Sequence, residues 1–144
     1  MTDSSIAANT VDFLNRGLTL HRRIEKNRER IAELRGICFS PNTASLSRER
    51  VQSSRHHDPV AGMIANIVDL EAQLEADIAD FVHWYGEART MITRLEDFKL
   101  RSVLLKRYLN FQTWKQIAVD LGLTFQWVHV LHKKALSELE KVTR

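Results

Sequence analysis

Apolar residues recur along the first third of the chain in alternating steps of four and three: Phe13, Gly17, Leu20, Ile24, Asn27, Ile31, Leu34 and Cys38. That spacing is the narrow seam of a coiled coil rather than the wider stripe of a globular helix, and it predicts a helix from about Asn9 to about Ile37. Gly17 weakens the seam. Asn27 is polar within it, and either fixes register by demanding a matching partner or is a tolerated surface residue. From Phe39 to Pro59 no period survives; Ser40-Pro41-Asn42, Arg48, Arg50, Arg55 and His56-His57-Asp58-Pro59 read as a loop of about twenty residues, long for a compact domain. The seam then returns through Val60, Ile64, Ile67, Leu74, Ile78, Phe81, Tyr85, Ala88, Ile92 and Leu95, interrupted where Glu71 takes a seam position beside Leu70.

After Leu95 the pattern changes. Phe98, Leu100, Val103, Leu104, Tyr108 and Leu109 mark a shorter helix closed by Asn110 and Phe111, followed by helices at about Thr113 to Leu121 and Thr124 to about Val142. The predicted fold class is all-α: a long antiparallel helical hairpin or coiled coil over residues 1–95, with the loop at about 39–59, then a three-helix domain over 96–144. With 144 residues, 44% hydrophobic, five glycines and two prolines, there is material for one modest core and too few turn residues for a β-rich fold.

The formal charge of +3 is unevenly placed. Met1 to Arg55 carries ten Lys/Arg against six Asp/Glu, His56 to Leu95 two against seven, and Glu96 to Arg144 nine against five. A basic first helix and an acidic second one suit an antiparallel hairpin with opposite charges flanking the seam. A coiled coil between two chains, giving a homodimer, satisfies the same pattern. No apolar run approaches the roughly 18 residues a bilayer span needs, and Met1-Thr-Asp-Ser-Ser lacks a basic start and an apolar stretch, so no membrane partner and a cytoplasmic location are expected. The single cysteine, Cys38, is expected to be a reduced packing residue. His56, His57 and Asp58 have no further ligands at a suitable spacing, so neither a metal nor any other cofactor is expected.

The most specific chemistry lies near the end. Thr113 followed by Gln116 makes a capping box, Ala118 offers a small residue where two helices can cross closely, Gly122 can take a left-handed turn, and Thr124 can cap the next helix. Ile117, Leu121, Val128 and Leu131 supply the apolar residues such a pair buries. This is the spacing of a DNA-binding helix-turn-helix, and the segment is itself basic.

In that geometry the start of the last helix enters the major groove first, placing Thr124, Phe125 and Gln126 nearest the bases. Val128, Leu131, Ala135 and Leu139 share the core face, leaving Gln126, His129, Val130 and Lys133 opposite. Gln126 can pair with adenine, His129 can donate to guanine, and Phe125 or Val130 can meet a thymine methyl. Thr113, Lys115, Lys133 and Lys134 suit phosphates, which position without specifying sequence. Trp114 and Trp127 read as core or core-edge residues, Trp127 lying one turn before Leu131. His132 reads as a phosphate contact or a solvated edge.

The stretch from Leu104 to Leu139 resembles region 4 of the sigma-70 family, matching its recognition helix at Thr124, Val128, Leu131, Lys134, Ala135, Leu136 and Leu139. More broadly the chain resembles the small sigma-70-like, phage-encoded transcriptional regulators of Gram-positive bacteria, of the autolysin regulatory and late-gene activator type. The residues that carry this are Arg50-Val-Gln-Ser-Ser, Ile67-Val-Asp-Leu-Glu, Tyr108-Leu-Asn and Val128-His-Val-Leu-His. The resemblance implies a regulator acting in a bacterial host on double-stranded DNA, with host RNA polymerase as a further partner. The sigma module is rich in Arg and Glu where this chain has Phe125, Gln126, Trp127, His129 and Val130, which points away from a standard promoter element. No segment resembles the promoter-melting sigma domain, which points to a regulator rather than a full sigma factor.

Two alternatives have the same features. A DNA-packaging component, similar to a small terminase subunit, also combines a helix-turn-helix with an oligomerising coiled coil. An interaction protein whose motif no longer binds DNA would account for the apolar Phe125, Trp127 and Val130. No carboxylate pair, nucleophile with base, or phosphate-cradling glycine loop stands at a usable spacing, so the chain is not expected to be an enzyme.

Overall fold

Two long seams and three short apolar patterns become five α-helices among the described residues. The computed structural model describes residues 2–40 and 58–143, with side chains from residue 9 onward. The first helix, α1 (Thr2–Cys38), begins at Thr2 rather than near Asn9, and the second, α2 (Pro59–Thr93), follows Asp58, whose carboxylate accepts from the Val60 N–H at 3.0 Å. Most of the expected loop, with Arg48, Arg50, Arg55 and His56-His57, lies outside the described residues.

The two helices pair antiparallel within one chain, so the seam closes as a hairpin. By compactness the chain divides into one unit of Met1–His21 with Asp80–Arg144 and a second of Arg22–Ala79. Helix α2 ends at Thr93 and the short helices begin at Phe98.

In the second unit Ile31, Leu34 and Ile67 are buried together, with Leu70, Leu74 and Cys38 packed against them; the thiol is free and half-buried. Asn27 is half-buried, and Ile64, expected on the seam, is exposed. Asp77, absent from the expected seam, is buried to 1% exposure. Arg23 satisfies it in bidentate fashion, Nε donating to Oδ2 at 2.9 Å and Nη2 to Oδ1 at 2.6 Å, and Gln73 Nε2 adds a bond at 3.0 Å. An ionised carboxylate survives burial only with such partners. Glu71, the other acid near the seam, pairs with Arg35 and remains partly exposed.

In the first unit Leu14, Leu20, Trp84, Ala88, Ile92 and Leu95 share a core with residues of the short helices. Leu14, not the expected Phe13, is the fully buried residue of its turn. Helix α3 (Phe98–Leu104) starts at Asp97, whose carboxylate accepts from the Lys99 N–H at 2.9 Å. It continues into a π-helical turn, Leu105–Leu109, where the Asn110 N–H reaches back to the Leu105 carbonyl at 3.0 Å. The widened turn ends at Phe111, a non-glycine residue with φ of 55°, whose ring stacks on His21 at 4.4 Å between centroids. Helices α4 (Trp114–Leu121) and α5 (Phe125–Thr143) complete the unit, α5 burying Val128, Leu131, Ala135 and Leu139. Among the described residues no helix is long and apolar enough to cross a membrane.

Candidate nucleic-acid interface

Local chemistry sets both ends of α4. The Thr113 hydroxyl accepts from the Gln116 N–H at 3.2 Å and the Gln116 side chain accepts from the Thr113 N–H at 2.9 Å, closing a reciprocal cap. At the other end Gly122 is left-handed, φ 64° and ψ 35°, and the Leu123 N–H reaches the Ala118 carbonyl at 2.9 Å while Gly122 N–H reaches Val119 at 3.2 Å. Those two bonds are a Schellman motif, which satisfies the last carbonyls of α4 and turns the chain sharply. Helix α5 then opens at Thr124, whose hydroxyl accepts from the Trp127 N–H at 3.1 Å. Ile117, Ala118 and Val128 are buried against each other across the turn, so the crossing rests on the small Ala118.

Behind the crossing lies a polar and aromatic brace. Arg107, on the π-helical turn, donates from Nη1 to the Gln112 carbonyl at 3.0 Å and lies 4.4 Å from the centre of the Trp114 ring. Trp114 meets His129 at 4.7 Å and the edge of His132 at 4.6 Å. His132 Nε2 stands 2.7 Å from the Tyr108 hydroxyl. Burial pushes the Tyr108 pKa up, against a smaller opposing effect of Arg107, so the phenol keeps its proton beside the imidazole. Burial, reinforced by His129 and Arg107, brings His132 down to about 4, which keeps it neutral near pH 7. His132 is therefore a half-buried bracing residue rather than a solvated edge. Lys106 and Gln112 both bond Asp120, at 3.3 and 3.1 Å, and so tie the turn to α4.

The sequence-predicted contact residues separate into groups. Gln126, Val130 and Lys133 stand at i, i+4 and i+7 on α5, all exposed, opposite the buried stripe. Thr113 and Lys115 are exposed at the start of α4, and Thr124 is exposed at the start of α5. Phe125 is 54% exposed and presents its ring edge-on to His129 at 4.5 Å. His129 is thus flanked by Phe125 and Trp114 and only partly exposed. Lys134, also exposed, lines a separate groove with Arg94, Glu96, Asp97 and Glu138.

Trp127 corrects the core-edge expectation, being 48% exposed. Of the first turn of α5 only Val128 is buried against α4, and the indole falls beyond that cover. The bracing contacts of Arg107 and Tyr108, and the π-helical turn that makes them, are not visible in the apolar pattern. An arginine three residues before an Asn-Phe helix end carries no signal of its own, because its partners come from a turn the helical period does not foresee.

The described residues thus define an all-α protein with a hairpin of long helices and a unit of three short ones. Residues 42–140, more than half of the chain, match the family described as Protein of unknown function (DUF1492), and the chain belongs to that family. No curated protein and no solved structure matches it.

Proposed function

We propose that the chain is a sequence-specific DNA-binding transcriptional regulator, phage or prophage encoded, whose α4 and α5 act as a sigma-70 region 4-like helix-turn-helix. The observation that carries this reading is the braced α4–α5 crossing, with the outward face of α5 left open from Gln126 to Lys133. A capped helix packed on its core by one face and open on the other is what insertion into a major groove requires. Lys115 and Lys133 flank that face and supply phosphate contacts. Host RNA polymerase is the proposed second partner, on the resemblance alone.

The test is selection from a randomised duplex library, followed by anisotropy titrations of the selected site at several salt concentrations. Gln126→Ala should relax preference at one base pair, and Lys133→Ala should weaken all duplexes alike and reduce the salt slope by about one. Parent-like binding by both variants on every sequence removes α5 from the groove. Mass measurement in solution separates regulation from packaging, since a ring of many chains belongs to the latter.

A further inference from the structure

The outward face of α5 carries an unusual set of groups for a helix meant to read bases. Helix α5 contains no arginine, and the residue most often used to recognise guanine is therefore missing. Its first outward cation is Lys133, at the far end of the face. The remaining donor near the start, His129, has its ring held between Trp114 and Phe125. Opposite the buried stripe near the start of the helix stand one amide, Gln126, and one branched aliphatic residue, Val130, 50% exposed, beside the exposed rings of Phe125 and Trp127.

From these positions we propose that the site reads an A·T-containing step: Gln126 pairs with the N6 and N7 edge of an adenine, and Val130 packs on the C5-methyl group of a nearby thymine. The inference rests on the DNA-binding reading and specifies its ligand. An amide side chain matches the adenine edge with one donor and one acceptor, and the thymine methyl is the only apolar group on the major-groove edge. Residues four apart on a helix are separated by about 6 Å along its axis, against about 3.4 Å between stacked base pairs. Gln126 and Val130 therefore address pairs one or two steps apart. His129 does not read a base; it props the Phe125 ring against the rim of the site, and Lys133 supplies a phosphate contact beyond it.

The experiment uses the full chain and the duplex selected from a random library, with uracil substituted for thymine one position at a time. Uracil lacks only the methyl group. At one position the parent should lose about four-fold in affinity, the worth of one buried carbon. Val130→Ala, an exposed substitution that leaves the core intact, should show no further loss at that position, whereas Phe125→Ala should keep the parent's loss. Gln126→Ala should reduce the preference for the neighbouring adenine by roughly ten-fold. Selected sites whose read pairs are G·C overturn the proposal while leaving DNA binding intact, and so does a methyl effect that persists in Val130→Ala. Failure to bind any duplex overturns the DNA-binding reading and this inference with it.

Discussion

Trp84 occupies the space that a side chain on Gly17 would need: the six-membered ring of the indole lies where a Cβ on that glycine would stand. The indole Nε1–H donates to the Phe13 carbonyl at 2.7 Å, so the ring is fixed in position as well as buried. A glycine that looks like a weak point in a heptad seam is instead the socket for the largest side chain of the facing helix. The narrow approach lets α1 and α2 meet closely near their unit of short helices.

Gly17→Ala should therefore reverse the usual sign of a glycine-to-alanine change in a helix, which ordinarily stabilises by about 0.5–1 kcal/mol. Overpacking against the indole should instead cost about 1–3 kcal/mol, read from urea unfolding. Gly86→Ala on α2, where nothing lies within 4 Å of an added Cβ, is the control and should gain the ordinary increment. Equal gains in both variants would mean that Trp84 moves aside freely.

The Arg23–Asp77 pair should respond asymmetrically. The Asp77 side chain is 1% exposed and that of Arg23 50%, so the two variants leave different remnants behind. Arg23→Ala strands a buried carboxylate with only Gln73 to bond it, and should destabilise by about 3 kcal/mol. Asp77→Leu removes the buried charge and lets the arginine turn to water, and should cost less. Chemical denaturation of both variants and of their double mutant checks this; a larger loss for Asp77→Leu would contradict it.

These two contacts mark the limit of what the pattern of apolar residues discloses. The α4–α5 crossing was legible because its determinants are local: Thr113 and Gln116 are three apart, and Gly122 follows Leu121 directly. The seam residues Leu20, Ile24, Ile31, Leu34, Ile67, Ala88, Ile92 and Leu95 were legible for the same periodic reason and are buried. Trp84 and Asp77 were not, because each is buried by a partner far away in sequence, a glycine for one and an arginine for the other. A period that scores only apolar residues passes over an acid whose burial depends on charge. The bracing role of His132 was hidden likewise, since Tyr108 meets it only through the π-helical turn.

His132 makes stability depend on pH in a stated direction. Its folded pKa of about 4 lies below the ordinary value of 6.5, so the unfolded chain takes up a proton first as pH falls. The stabilisation is complete above about 6.5 and is lost progressively down to about 4. Thermal melting should accordingly fall between pH 7 and pH 4.5 more steeply for the parent than for His132→Gln, which keeps a partner for the Tyr108 hydroxyl but does not titrate. Parallel curves for the two proteins would remove His132 as the source.

Gly122 should tolerate substitution according to backbone preference alone, because nothing lies within 4 Å of an added Cβ and only its φ of 64° opposes a side chain. Gly122→Val should destabilise by about 1–2 kcal/mol, the left-handed conformation being least accessible to a β-branched residue. Gly122→Asn should lose little, since Asn visits that region readily. The same order should appear in duplex affinity if the angle between α4 and α5 governs groove entry, with Gly122→Asn binding close to the parent and Gly122→Val more weakly. Denaturation and anisotropy on the same preparations separate the two effects: an affinity loss in Gly122→Val that remains well below its melting temperature belongs to the turn geometry, and one that tracks the unfolded fraction belongs to stability.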